Sequence, residues 1–162
     1  MSSSLDSKAA IEAAVQILRE NDRGEFSVPT HGLYPVQFNW DSAFASLGYL
    51  LINKERAYRE VELLLEAQWA DGMVPHIIFR GDHDGYFPGP EVWDSGQPIP
   101  TSGITQPPVA ASILRRLIEG GCEVSQDRLR LSVDRLNRWH DWFTRARQCP
   151  DSGAIFIVHP WE

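Results

Sequence analysis

The sequence has few of the residues that mark secreted, metal-binding or membrane proteins. Its two cysteines, Cys122 and Cys149, belong to no CxxC motif and have no nearby Cys/His ligand pair, so we predict neither a disulfide framework nor a zinc site, and no other cofactor. Two free thiols favour a reducing, cytoplasmic compartment. The first residues lack the basic and apolar regions of an export signal, and no apolar run is long enough to span a bilayer.

The chain also lacks an excess of positive charge. Its 15 Lys and Arg against 22 Asp and Glu leave a net charge of -7, which would repel a phosphate backbone or an anionic membrane surface. Nucleic-acid and membrane partners are therefore not expected. With 162 residues, 43% hydrophobic and 23% charged, the composition is typical of one soluble globular domain.

Aromatic residues, by contrast, are plentiful: six Trp, four Tyr and seven Phe. Several stand beside Pro, Gly or Asp in segments without helical periodicity. There, packing in the core and stacking on a ligand are competing interpretations.

Apolar residues recur at helical spacing in five segments. We predict a first helix that is capped by Asp6 or Ser7 and ends near Asn21. A second helix begins after Asp41 as its N-cap. A third carries its apolar face through Gln68 and stops at the Asp-Gly pair 71–72.

The fourth predicted helix begins at Thr105, with Pro107 and Pro108 in the first turn, where a missing N–H costs nothing, and it ends at the glycine pair 120–121. The fifth runs from about Ser125 to Phe143. Helices two and three form one hairpin, and helices four and five form another.

Each hairpin is followed by a similar segment, QWADGMVPH at 68–76 and QCPDSG then VHP at 148–153 and 158–160. Repeated helical hairpins with extended return segments predict an all-α array or toroid. Two hairpins do not close a toroid, and the apolar stretch at 154–158 has nothing after it to cover it. We therefore interpret residues 1–162 as the truncated N-terminal part of one domain. We expect the uncovered face near Ile155, Phe156 and Ile157 to cause self-association into homo-oligomers or aggregates.

The densest group of chemically useful residues is YPVQFNWDS at 34–42, which combines aromatic, amide and carboxylate side chains at a helix start. Its simplest interpretation is that Trp40 and Phe38 belong to the core and that Asp41 is an N-cap. The segment TSGITQPP at 101–108 likewise reads as a helix start, yet it places the Gln106 amide at that end. Hydroxyl-rich ligands need this mixture of carboxylates, amides and aromatic faces.

The loop between 79 and 104 is too long and too aromatic for a plain connection. Asp82, Asp84 and Gly85 resemble the opening of a calcium loop, but the later ligands are missing, and turn chemistry is the preferred interpretation. His76 and His159 occupy similar places after the two hairpins. A lone histidine of this kind is more often structural than a ligand, although return segments of a toroid all reach the same mouth.

Four motifs in this order, YPVQFNWDSAF, DGMVPH, TSGITQPPV and a terminal HPWE, resemble the catalytic domain of glycoside hydrolase family 63 and its mannosylglycerate and glucosylglycerate hydrolase relatives. The resemblance covers about residues 30 to 162. It implies an (α/α)6 barrel that hydrolyses an α-glycosidic bond with inversion, acting on a small carbohydrate substrate.

The resemblance also implies roles for individual residues. In the subsite of the cleaved sugar it places Tyr34, Gln37, Trp40 and Asp41, and near the aglycone His76, Tyr86 and Gln106. Trp161 and Glu162 match the start of a WESG-type motif whose general-acid aspartate follows, and the general base belongs to a later helix. Both would lie beyond this chain, so we expect no catalytic carboxylate and no turnover in residues 1–162 alone.

Two other functions stay open from the sequence. A noncatalytic helical-repeat module could bind a sugar or a protein through the loops at one end. A sugar epimerase on the same toroid would need histidines near the barrel axis, and the motif order argues against it.

Overall fold

The computed structural model describes residues 7–162. Within them the chain forms six helices and a two-stranded antiparallel sheet, in which Gln37 pairs with Ile78 and Phe38 with Ile77. The predicted cap at Asp6 lies outside the described residues. In chain order the elements are α1 Ser7–Asn21, β1 Gln37–Phe38, α2 Asn39–Tyr49, α3 Lys54–Glu66, β2 Ile77–Ile78, α4 Pro90–Trp93, α5 Ala110–Glu119 and α6 Gln126–Ala146.

The core is formed where the consecutive pairs α2–α3 and α5–α6 pack against each other. Leu64 of α3, Leu117 of α5 and Trp139 of α6 are completely buried in it. The apolar periodicity therefore does place these helices face to face, because each can remove its apolar stripe from water only against a neighbour. The predicted helical-hairpin architecture is confirmed.

The start of α2 differs from the prediction. Its N-cap is Phe38, which offers no side-chain cap, and Asp41 is the third residue of the helix. The first N–H groups of α2 are bonded instead by acceptors from other segments: the Asn39 N–H donates to the His76 carbonyl at 2.9 Å, and the Trp40 N–H donates to Gln106 Oε1 at 2.9 Å. Tertiary partners satisfy the helix end, so a local cap is not needed.

The start of α5 also differs, because the helix begins at Ala110 and not at Thr105. The preceding residues run alongside β2: the His76 N–H donates to the Ile104 carbonyl at 2.7 Å, and the Ser102 N–H donates to the Ile77 carbonyl at 3.0 Å. These bonds keep 101–105 extended. Pro107 and Pro108 consequently precede the helix and do not form its first turn.

The start of α6 agrees with the prediction, whereas α3 ends earlier than predicted. Ser125 is the N-cap of α6, and its hydroxyl accepts the Arg128 N–H at 3.3 Å. Helix α3 ends at Glu66, before the predicted stop at the Asp-Gly pair 71–72. The Gln68 amide then donates to the carbonyls of Gly72 and Arg135, at 2.9 and 2.7 Å, and so ties the turn after α3 to α6.

A buried carboxylate joins three parts of the chain. Glu60 of α3 is completely buried, and it accepts hydrogen bonds from the backbone and hydroxyl of Ser27, from the Gln37 amide at 3.4 Å and from Arg56 at 2.6 Å. Arg56 also pairs with Asp22 at 3.1 Å. The network holds the loop after α1 and the strand β1 against α3.

The segment after α6 turns back on the helix end. The Phe156 N–H donates to the Arg147 carbonyl at 3.0 Å, and Gln148 forms an isolated bridge with Ile155. The large apolar side chains of this segment are exposed, from 45% for Phe156 to 71% for Ile157. The expected self-association through this face stays a prediction.

Cys122 and Cys149 are both free thiols, and the Cys122 thiol donates to the Lys54 carbonyl at 3.3 Å. No helix within residues 7–162 combines the length and the apolar character needed to cross a bilayer.

We expect Glu60→Gln to lower the free energy of unfolding by about 3 kcal/mol, because it removes the more deeply buried of the two carboxylates that pair with Arg56. Glu66→Gln is the matched control: Glu66 lies on the same helix, pairs with Arg59 and is partly exposed, and its change should cost about 0.5 kcal/mol. Urea unfolding of both variants measures the difference. Equal, small effects would contradict the role assigned to Glu60.

Candidate ligand pocket

A pocket of about 450 Å³ opens where the start of α2, the segment before α5, the end of α6 and the last residues of the chain meet. These segments are far apart in sequence and are brought together by the two hairpins. The wall residues are Trp40, His76, Thr105, Gln106, Pro107, Pro108, Phe143, Arg147, Ile155, Phe156, Ile157, Trp161 and Glu162. A concave, mostly apolar site with a few polar groups is the usual form of a small-molecule site.

Five of the nine sequence-predicted site residues line this pocket: Trp40, His76, Gln106, Trp161 and Glu162. Trp40, His76 and Gln106 meet at the start of α2, where the Asn39 and Trp40 N–H groups donate to the His76 carbonyl and to Gln106 Oε1. The Asn39 amide strengthens this junction, since it donates to the Pro75 carbonyl at 3.0 Å. The pairing fixes how Gln106 is oriented. Because a backbone N–H only donates, the amide oxygen of Gln106 must face Trp40, and the NH2 group is left for another acceptor.

Glu162 is held by three segments at once. Its carboxylate accepts hydrogen bonds from Arg147 Nη2 at 2.7 Å, from the Val158 N–H at 2.9 Å and from the Thr105 N–H at 3.4 Å. Burial alone would raise the pKa of Glu162, but these hydrogen bonds and the charge of Arg147 lower that pKa below its ordinary value. The side chain is therefore an ionised anchor.

His76 is the neutral member of the pocket. Burial lowers its pKa to about 4, only partly opposed by the nearby negative charge of Glu162. Its ring meets Phe38 edge-on at 5.3 Å between centroids, and its buried Nδ1 has no hydrogen-bond partner within the described chain. An uncharged imidazole offers one donor and one acceptor to a ligand.

Gln37 and Asp41 lie elsewhere. Gln37 is completely buried, its NH2 group bonded to Glu60 and its oxygen accepting from Arg80 Nε at 3.1 Å. This amide therefore bonds other groups inside the core. No part of its side chain is exposed for the expected contact with a sugar. Asp41 lines a separate cleft between α1 and α2, and burial raises its pKa.

Tyr34 and Tyr86 face each other at 6.4 Å between ring centroids and line a shallower depression formed by residues 31–35 and 84–87. Both rings also contact Phe38, at 5.2 and 6.0 Å. Burial is the main reason that the pKa of Tyr86 is raised. The two tyrosines are thus brought together, although outside the pocket that contains Trp40.

Trp161 belongs to an aromatic cluster. Its ring meets Trp93 at 5.6 Å and His159 at 5.2 Å, both edge-on. Trp93 comes from the short helix α4 in the long loop, which the sequence did not reveal as helical. The loop therefore supports the pocket wall, and His159 packs beside this wall without lining the pocket.

The pocket also contains residues that no sequence pattern indicated: Arg147, Phe143 and Thr105. Arg147 is nearly buried, with its guanidinium 4.7 Å above the Trp142 ring. Nothing local distinguishes this residue, which follows α6 directly, from the arginines within the helix. The one available signal is the acidic Glu162, which is 15 positions away.

The acidic stretch at 82–85 forms an ordinary turn, in which Asp82 Oδ1 accepts the Asp84 N–H at 3.0 Å. Among residues 7–162 no three His, Cys, Asp or Glu side chains are grouped so as to hold a metal ion.

Comparison with known proteins identifies similar chains. Residues 34–162 match the family described as the mannosylglycerate hydrolase MGH1-like glycoside hydrolase domain. The chain is 50% identical to mannosylglycerate hydrolase MGH1 of Selaginella moellendorffii, over 94% of this chain and 32% of that protein. It is 38% identical to a glucosylglycerate hydrolase of Mycolicibacterium hassiacum, over 92% of this chain and 36% of the relative.

A solved structure is equally similar. The crystal structure of the GH63 mannosylglycerate hydrolase from Thermus thermophilus, in complex with Tris and D-glycerate, superposes with a TM-score of 0.84 at 46% identity, covering 93% of this chain and 37% of that one. The match confirms the predicted fold class, part of an (α/α)6 toroid. The chain spans about a third of the length of the curated relatives it matches.

We expect the His76 ring to titrate near pH 4 and to stay neutral at pH 6 and above. Because the pKa is lowered from 6.5 to about 4 on folding, the unfolded chain binds more protons between these values, and stability should fall as the pH decreases through this window. NMR titration of the assigned ring measures the pKa directly. His76→Asn should flatten this part of the stability profile, and a ring titrating near 6.5 would contradict the assignment.

Proposed function

The chain belongs to the mannosylglycerate hydrolase MGH1-like glycoside hydrolase domain family, and we propose that it forms the ligand-binding N-terminal part of a hydrolase for small α-glycosides of glycerate. Mannosylglycerate and glucosylglycerate are the substrates named for the relatives. The activity of the whole protein is part of this proposal, because the chain covers about a third of those enzymes.

The observation that carries the proposal is the composition of the pocket. Two half-exposed indoles, Trp40 and Trp161, line the pocket together with Gln106 and the neutral His76. Aromatic faces suit the C–H surface of a sugar ring, while neutral donors suit hydroxyl oxygens without the cost of burying an unpaired charge. The pocket volume is in the range of small-molecule sites.

Within this arrangement each residue has a defined task. Trp40 stacks on the sugar, and Gln106 holds the α2 end with its oxygen while its NH2 group donates to the ligand. His76 accepts or donates a hydrogen bond without carrying charge. Tyr34 and Tyr86 line the neighbouring depression and extend the site on the side of the long loop. A sugar contact by Asp41 stays a prediction.

The pocket binds but is not equipped for hydrolysis. Inversion needs two carboxyl groups roughly 6.5–9.5 Å apart, one protonated and one free to activate water. Glu162 is the one carboxylate side chain among the pocket residues of the described chain, and its lowered pKa and ion pair with Arg147 make it unsuitable as a proton donor. We therefore assign both proton-transfer groups to parts of the relatives that this chain does not cover.

The alternative function is a noncatalytic module that binds a sugar. It is supported by the same observation, that the pocket of the described chain has one carboxylate side chain and not two. The two functions share the binding step and differ in what completes the site. A cytoplasmic location is also proposed, from the two free thiols.

We expect the 162-residue chain to bind mannosylglycerate or glucosylglycerate without hydrolysing it. Isothermal titration calorimetry measures binding, and release of free mannose or glucose measures turnover. D-glycerate and the free sugars, added separately, show which half of the ligand is recognised. Sustained hydrolysis by the purified chain would contradict the assignment of the catalytic groups elsewhere, and no binding of any of these ligands would contradict the proposed function.

Trp40→Ala should weaken this binding at least tenfold, about 1.4 kcal/mol, because the stacking face is removed. Stability should change little, since the side chain is 40% exposed. Phe44→Ala is the matched control: Phe44 lies one turn along the same helix, is 52% exposed and lines the cleft beside α1. Calorimetric affinities that fall equally in both variants would show that Trp40 does not face the ligand.

A further inference from the structure

The polar bonds around Glu162 suggest a role for Arg147 that is separate from ligand contact. Residues 155–162 supply the half of the pocket that contains Ile155, Phe156, Ile157 and Trp161. This segment has little packing of its own, since Ile157 is 71% and Trp161 49% exposed. Its attachment to the rest of the molecule therefore depends on a few polar bonds.

Glu162 makes most of these bonds. It joins the end of α6 through Arg147, its own segment through the Val158 N–H, and the strand-like residues before α5 through the Thr105 N–H. The glutamate and arginine side chains are 7% and 12% exposed, so their ion pair is screened little by solvent. Such a pair, with its remaining acceptor sites bonded, defines geometry more than it adds stability.

Arg147 is itself held from the other side. Its guanidinium lies 4.7 Å above the Trp142 ring, Trp142 donates from Nε1 to Asp71 Oδ2 at 3.0 Å, and the Arg147 carbonyl accepts the Phe156 N–H at 3.0 Å. The planar group thus has one orientation, in which Nη2 meets Glu162. The position of the glutamate is consequently defined relative to α6 and to the turn after α3.

We propose that Arg147 is a positioning residue for the ligand pocket: its ion pair with Glu162 holds residues 155–162 against Thr105 and so fixes the Trp161 indole in the pocket lining. The neighbouring Trp93 and His159 rings support the indole only from the side, at 5.6 and 5.2 Å. The consequence for ligand binding rests on the proposed function, whereas the consequence for Trp161 does not.

The test uses the 162-residue chain labelled with 5-fluorotryptophan, whose Trp161 resonance is assigned with Trp161→Phe. Glu162→Gln keeps the shape of the side chain and removes its charge, and Arg147→Met removes the guanidinium. We expect both changes to shift or broaden the Trp161 resonance. Only Arg147→Met should also move the Trp142 resonance, because only that variant removes the group stacked on its ring.

Ligand affinity provides the second measurement. Glu162→Gln and Arg147→Met should each weaken binding of mannosylglycerate about tenfold. The variant that carries both changes should bind as well as either single variant, because each change alone already removes the ion pair. Arg147→Lys, which keeps the charge, should recover part of the affinity. Arg145→Met is the matched control: this exposed arginine lies two positions earlier and donates to the Asp71 carbonyl, so Trp161 and the affinity should not change.

Three outcomes would overturn the proposal: an unchanged Trp161 resonance in Glu162→Gln, additive losses in the double variant, or equal effects from Arg145→Met. If Arg147→Met fails to fold, Glu162→Gln and Arg147→Lys still decide the matter. If the wild-type chain binds none of the ligands, the proposed function fails while the fluorine spectra continue to test the positioning role.

Discussion

The burial of the Glu60 carboxylate is the constraint on which much of this structure depends. A carboxylate without contact with water is tolerated only if its oxygens are bonded and its charge is paired. Here Ser27, Gln37 and Arg56 supply these partners, from the loop after α1, from β1 and from α3 itself. The loop and β1 must therefore pack against α3 together, because a shift of either would leave a buried carboxylate oxygen without one of its hydrogen bonds.

The same constraint reaches the pocket through the backbone. Strand β1 is followed without a break by α2, so the residues that hold Gln37 in the network also set where α2 begins. At that point the first N–H groups of α2 meet the His76 carbonyl and the Gln106 amide. The polar cluster around Glu60 and the pocket at the surface are thus linked through β1 and the start of α2. This link explains why Gln37 belongs to the same sequence motif as Trp40 and yet is buried.

The protonation states of the pocket residues suit the binding of a ligand better than its hydrolysis. Burial keeps His76 neutral, and the ion pair with Arg147 keeps Glu162 charged, so neither group has a pKa suited to giving up a proton at neutral pH. A neutral imidazole, an amide and two indoles nevertheless form a consistent surface for a polyhydroxylated ring. The proposed role, the binding half of a hydrolase site, agrees with the chain's coverage of about a third of its relatives.

The sequence by itself determined the five longer helices, their pairing and the family, but not the short helix α4. Apolar periodicity predicted the helical hairpins, because each stripe must be buried against a neighbour, and Ser125 marked the start of α6 correctly through a purely local bond. Only the tertiary structure decided the ends of α2 and α5, the burial of Gln37 and the place of Arg147 in the pocket wall. The physical reason is that their hydrogen-bond partners come from remote segments, as with Trp40 and Gln106, 66 positions apart, and no local pattern records a bond that exists only after the hairpins have packed.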